Sequence, residues 1–82
     1  MNTPELAPIH KAALEAAFKG PIFSAALGQH ADPACREYNF SVIQFLKKNG
    51  LVWEHVAIDQ RAKYYLTSRG LDLIIQLRFP GG

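Results

Sequence analysis

An 82-residue chain has room for one domain, and its core is modest, because a chain this short buries roughly 60–65% of the surface its unfolded form exposes. Hydrophobic residues make up 49% of it and the formal charge is +2, a mildly basic balance that permits nucleic-acid binding without demanding it. A single cysteine excludes an intrachain disulfide, no apolar run approaches the roughly 20 residues of a membrane span, and Met1 to Ala7 lacks the basic and apolar regions of a secretory signal. The expectation is a soluble, cytoplasmic protein without a membrane contact, whose surplus apolar surface implies a partner, often a second copy of itself.

Residues 1–7 read as a flexible N-terminus. Pro8 then opens a first helix, since its missing N–H is one a helix start leaves unpaired anyway. Ala13, Leu14, Ala17 and Phe18 recur at helical spacing, with Lys11, Glu15 and Lys19 on the other face. Glu15 and Lys19 stand four apart in the favourable order. Gly20-Pro21 stops this helix. A short second helix follows from Pro21 to Leu27, ended by Gly28, and residues 28–31 form a turn. Asp32 as cap and Pro33 at the first helical position open a third helix to about Lys48, with Val42, Ile43 and Leu46 as its core stripe. Helix, short helix, tight turn and longer helix make a helix-turn-helix unit.

After Gly50 the period changes. Leu51, Val52, Trp53, Val56 and Ile58 favour a strand, as do Tyr64, Tyr65 and Leu66, and the polar run 59–63 connects the two as a hairpin. Leu71, Leu73, Ile75 and Leu77 alternate as a strand would, while Leu71, Ile74, Ile75 and Leu77 also allow a helix. Thr67 as an N-cap favours a helix from Ser68 to about Phe79, with 80–82 a flexible tail.

Two stretches resemble the bacterial transcription-regulator type of winged helix-turn-helix domain. Ile43, Leu46, Gly50, Leu51 and Val52 are similar to the end of that family's recognition helix. Tyr64, Leu66, Thr67 and Gly70 are similar to the turn after its hairpin. The resemblance implies an α+β fold over 8–79 with three helices, a two-stranded β-hairpin wing and a C-terminal helix. It also implies a small DNA-binding transcription regulator, with the helix 33–48 in the major groove of double-stranded DNA and the wing 59–63 on the backbone or minor groove. One such domain reads few base pairs, so a homodimer is expected.

Under that resemblance Ser41 and Gln44 face base edges, while Arg36, Lys47, Lys48, Arg61 and Lys63 hold phosphates. Each has a plainer reading as a solvated helix face, a helix-dipole partner or a soluble hairpin tip. Tyr38, Phe40 and Phe45 fall outward in the same register and suit a protein better than a polyanion; a shifted register would bury them instead. The alternative function is therefore a winged-helix protein-interaction module, a phage or plasmid accessory factor or a complex subunit. Leu73, Ile74, Leu77 and Phe79 of the last helix are the expected dimer surface. Trp53 is expected to pack at the base of the hairpin, and Cys35 to be buried.

Nothing points to an enzyme, metal or cofactor. His10, His30, His55 and Cys35 share no ligand spacing, and Ser24, His30 and Asp32 lack a nucleophile elbow. The glycines form no phosphate loop.

Overall fold

In the computed structural model, which describes residues 5–26 and 29–79, Pro8 begins α1 (Pro8–Lys19) as its composition requires. His10 Nδ1 accepts the Ala7 N–H at 3.2 Å, and Ala13, Leu14 and Ala17 form the buried face. Leu6, ahead of the helix, is partly buried against the core. Gly20 closes α1 by donating its N–H to the Ala16 carbonyl.

The second expected helix is not a helix. Residues 22–25 are extended: Ile22 exchanges both backbone hydrogen bonds with Tyr64, at 3.0 and 2.9 Å. β1 (Phe23–Ser24) then pairs in parallel with β2 (Glu37–Tyr38). The expected end of that helix at Leu27 and Gly28 lies outside the described residues.

The third expected helix is cut short for a related reason. Asp32 does cap, its carboxylate accepting the Ala34 N–H at 3.0 Å, and Pro33 does open a turn. That turn is one 3₁₀ unit, Pro33–Cys35, because Arg36 enters the left-handed region at φ 62°. Its guanidinium turns back to the end of α1, donating through Nε to the Pro21 carbonyl at 2.7 Å, to the Gly20 carbonyl at 2.8 Å, and to the Ala16 carbonyl. These carbonyls lie where a helix runs out of internal donors and its dipole is negative. The Arg36 and Tyr38 carbonyls accept the Phe23 and Ala25 N–H groups at 2.9 Å, so they cannot serve a helical ladder. Helix resumes only at α2 (Phe40–Lys48). Local capping signals thus lose to pairing over longer range.

Gly50 reverses the chain at φ +71°, the left-handed conformation only glycine takes without steric cost. β3 (Val52–His55) and β4 (Lys63–Leu66) follow as an antiparallel hairpin, with Trp53 opposite Tyr65 and His55 opposite Lys63. The connection therefore runs over 56–62 rather than 59–63, and Lys63 belongs to a strand. Thr67 settles the last element as a helix, α3 (Ser68–Arg78), by accepting the Gly70 N–H at 3.0 Å. Its hydroxyl also donates to the Gly50 carbonyl at 2.6 Å, tying the helix start to the hairpin start.

The described residues thus form an α+β domain with three α-helices and two two-stranded sheets. Leu14, Ile22, Ile43, Leu46, Leu51 and Ile74 are its fully buried centre, drawn from all three helices and from the residues just ahead of β1 and β3. Glu15, read in the sequence as a partner of Lys19, is gripped instead by Arg78 of α3, at 2.5 and 3.3 Å, while Arg78 lies 4.9 Å above the Phe18 ring. None of the described helices is long and apolar enough to cross a membrane.

A Cβ on Gly70 would collide with the Leu51 carbonyl and the Leu66 side chain, because α3 crosses the hairpin base at closest approach there. Gly70→Ala is therefore expected to lose about 1–3 kcal/mol through overpacking. An open helix position would instead gain about 1 kcal/mol from that change. Urea denaturation measures this, and equal or greater stability would contradict the close approach.

Candidate nucleic-acid interface

Burial of Val42, Ile43 and Leu46 turns the opposite side of α2 outward, and helical spacing places Phe40, Ser41, Gln44 and Lys48 there. Ser41 and Lys48 are exposed and Gln44 is partly so. Lys47 leans toward the hairpin, its ammonium 3.4 Å from Glu54. Arg69, which sequence reasoning missed, lies with its stem over Gly50, 3.7 Å from where a Cβ would stand. That brings its side-chain stem to the turn that follows Lys48 at the end of α2. No local signal announces this, because it follows from α3 turning back across the hairpin base.

Both arginines expected to hold phosphates are engaged within the fold. Arg36 is the clamp on α1. Arg61 bridges to Glu37 at 3.0 Å, donates to the Ser24 carbonyl at 3.0 Å, and sits 4.8 Å above the Phe23 ring. It straps the hairpin turn to the β1–β2 ribbon. Among the described residues the three carboxylate ion pairs take Lys47, Arg61 and Arg78, leaving Lys48, Lys63 and Arg69 without a carboxylate partner near the hairpin and α2.

The aromatic and apolar expectations divide in the same way. Tyr38 is buried at 7% exposure in β2, so it belongs to the core and cannot anchor a partner. Phe45 is half-buried, stacked on His10 at 3.9 Å, leaving Phe40, 49% exposed, as the free aromatic of the α2 row. Leu73 and Ile74 point inward and are buried, whereas Leu77 and Phe79 are exposed. Leu71 and Ile75, not anticipated from the sequence, are exposed on the same helix. Cys35 is also exposed rather than buried, because the 3₁₀ turn carrying it lies at the surface; Asp32, which accepts its thiol hydrogen bond, pushes the thiol's pKa up.

Trp53 is 48% exposed, not packed beneath the hairpin. Its ring stacks on Tyr65 across the strands, with centroids 5.1 Å apart, and His55 meets both rings edge-on. Period-2 alternation was the signal that could have found this face. Strands ending at His55 and starting at Lys63 place Trp53, His55, Lys63 and Tyr65 together, whereas a connection at 59–63 hides the pairing.

On the hairpin's other face, the buried Tyr64 donates its hydroxyl to Glu54 at 2.6 Å. Burial first, and then the Glu54 carboxylate, push the Tyr64 phenol up to about 12. The same hydrogen bond, helped by Lys47, holds Glu54 below the usual carboxylate range. Among the described residues no three of His, Cys, Asp and Glu gather as a metal site.

No protein-family model matches this sequence, and neither a curated protein nor a solved structure matches it.

The Tyr64 shift sets a sign for alkaline stability. A phenol with a raised folded pKa contributes stability that is complete below its ordinary value near 10 and is lost as pH rises toward about 12. Phenolate absorbance should show a late ionisation belonging to Tyr64. Tyr64→Phe should abolish that late step and flatten the stability loss between those pH values. An absorbance step near 10, rather than near 12, that disappears in Tyr64→Phe would contradict the buried pair.

Proposed function

We propose that this protein is a small DNA-binding transcription regulator of winged-helix type, meeting duplex DNA with the outer row of α2 and the base of its hairpin. The observation that carries the reading is the grouping of Ser41, Gln44 and Lys48 on one exposed stripe of a helix, with Arg69 brought to its end. Amide and hydroxyl groups in a helix row can read base edges, and unpaired cations beside them can hold phosphates. The order α2, Gly50, hairpin and Thr67-capped α3 supports the winged-helix assignment.

The contacting helix is shorter than the sequence implied. At nine residues α2 extends roughly 13 Å at 1.5 Å per residue, enough for a few base pairs. Useful specificity then calls for a second copy on a neighbouring half-site. Leu71, Ile75, Leu77 and Phe79, exposed along α3, are the apolar surface open to such pairing. Lys63 and, in exchange for Glu54, Lys47 can add phosphate contacts, whereas Arg36 and Arg61 are retained for the fold.

A second reading, a protein-interaction module on the same scaffold, is favoured by one observation: the α2 row also exposes Phe40. An exposed aromatic anchors a protein partner better than a phosphate backbone.

Gel shifts on random duplex DNA across a salt series test the first reading. Lys48→Ala and Arg69→Ala should each lower the slope of log affinity against log salt by about one, and Arg61→Ala should leave it unchanged. Gln44→Ala should cost about 1–3 kcal/mol of sequence discrimination with the slope intact. Binding indifferent to salt, or none at low salt, would remove the DNA reading. Loss of a captured protein with folded Phe40→Ala would then establish the second.

A further inference from the structure

We infer that the outer face of the β3–β4 hairpin is a stacking site for the unpaired bases of a single-stranded nucleic acid, with Trp53 and Tyr65 as the platform. The inference deepens the nucleic-acid reading above, from which it takes only the class of polymer, and it uses a surface other than the α2 row.

The hairpin register sets Trp53 opposite Tyr65 and His55 opposite Lys63, and alternation puts all four side chains on one face. The opposite face is occupied, since Val52 and Tyr64 are buried and Leu66 packs against the core. On the outer face three aromatic rings are contiguous. Trp53 and Tyr65 are stacked with their planes 26° from parallel, and His55 closes on both with centroids at 5.9 and 6.4 Å. A cross-strand aromatic pair steadies a hairpin by itself. That role does not call for an indole left half exposed and bordered by an imidazole and an ammonium.

Charge selects the occupant. Glu54, the one carboxylate within the two strands, turns to the inner face, where Tyr64 and Lys47 hold it. Asp59, in the turn, is the other acid of the hairpin. Lys63 lies two residues along the strand from Tyr65, about 7 Å at strand rise. Beyond the hairpin's base, Arg69 lies over Gly50. The platform therefore has Lys63 on its own face, the Arg69 stem beside Gly50 beyond the hairpin's base, and no strand carboxylate on its own side. Every nucleobase offers a π-face, so stacking there tolerates any sequence while the cations meet the backbone. A proline-rich peptide could use the rings but would gain nothing from Lys63 and Arg69.

Trp53 is the only tryptophan in the chain, so its emission reports this face alone. The full chain is titrated at low salt with a labelled oligothymidine of about 12 nucleotides, a span one small domain can cover, and with a duplex of matched length. Binding is followed by anisotropy and Trp53 emission together. The single strand is expected to quench Trp53 strongly, and bound duplex, whose bases stay paired, to change its emission far less. Trp53→Ala should weaken single-strand binding roughly tenfold or more, Trp53→Phe should retain it, and Lys63→Ala should lower its salt slope by about 0.7. If circular dichroism shows Trp53→Ala unfolded, wild-type quenching and Lys63→Ala decide. Duplex binding with Trp53 unquenched by any single strand overturns this inference and leaves the α2 reading standing. No binding of either polymer at low salt removes both. Quenching by a proline-rich peptide but not by the oligonucleotide also overturns it.

Discussion

The grip of the Arg36 guanidinium on the end of α1 is the interaction on which the rest of this fold depends. A helix leaves its last carbonyls short of donors, and here a single side chain from beyond the next strand supplies donors at Gly20 and Pro21 and a second one at Ala16, whose carbonyl already accepts the Gly20 N–H. To reach them, residue 36 takes a left-handed backbone, which costs a non-glycine residue about 1–2 kcal/mol. Hydrogen bonds from a charged donor contribute about 1.5–3 kcal/mol each, so several of them outweigh that strain. Once residue 36 is so placed, Glu37 and Tyr38 run beside Phe23 and Ser24, and α2 cannot begin before Phe40.

A second clasp acts at the other end of α2. Gly50 turns the chain, Thr67 joins the Gly50 carbonyl to the start of α3, and Gly70 lets that helix close on Leu51. The two clasps determine which charges remain for function. Arg36, Arg61 and Arg78 are spent on joining elements, and Lys47 is shared with Glu54. What is left near α2 and the hairpin is a small group, Lys48, Lys63 and Arg69, beside Gln44, Ser41 and the Trp53 face. In this chain the most basic side chains are mainly structural, so charge in the sequence overstates the charge available to a polyanion.

Legibility in the sequence followed the range of the forces involved. The start of α1 at Pro8, the reversal at Gly50, the Thr67 cap and the core stripe of Val42, Ile43 and Leu46 all depend on neighbours within a turn or two, and all were readable. Residues 21–26 and 32–38 were not. Their conformation is decided by pairing between segments some fourteen positions apart and by one arginine, while their local signals, Asp32-Pro33 above all, still read as helix. The outward row Ser41, Gln44 and Lys48 followed from registering the helix against the resembled family, with Val42, Ile43 and Leu46 inward. Tyr38 was misplaced because it lies in β2 and not in the expected helix, and Leu73 and Ile74 because spacing alone does not say which face of an element meets the core. The Trp53 face was hidden by an error of register, since two strands must be aligned before their alternation has meaning.

Backbone chemical shifts and amide exchange of residues 21–39 test the central claim most directly. The Arg36 clamp requires extended-type shifts at Phe23, Ser24, Glu37 and Tyr38, with the Phe23 and Ala25 amides exchanging slowly because they donate to the Arg36 and Tyr38 carbonyls. Arg36→Met should abolish that protection while the β3–β4 amides keep theirs. Continuous helical shifts from Pro33 through Lys48 would contradict the account, and the assignment of Arg36 to the fold would fall with it.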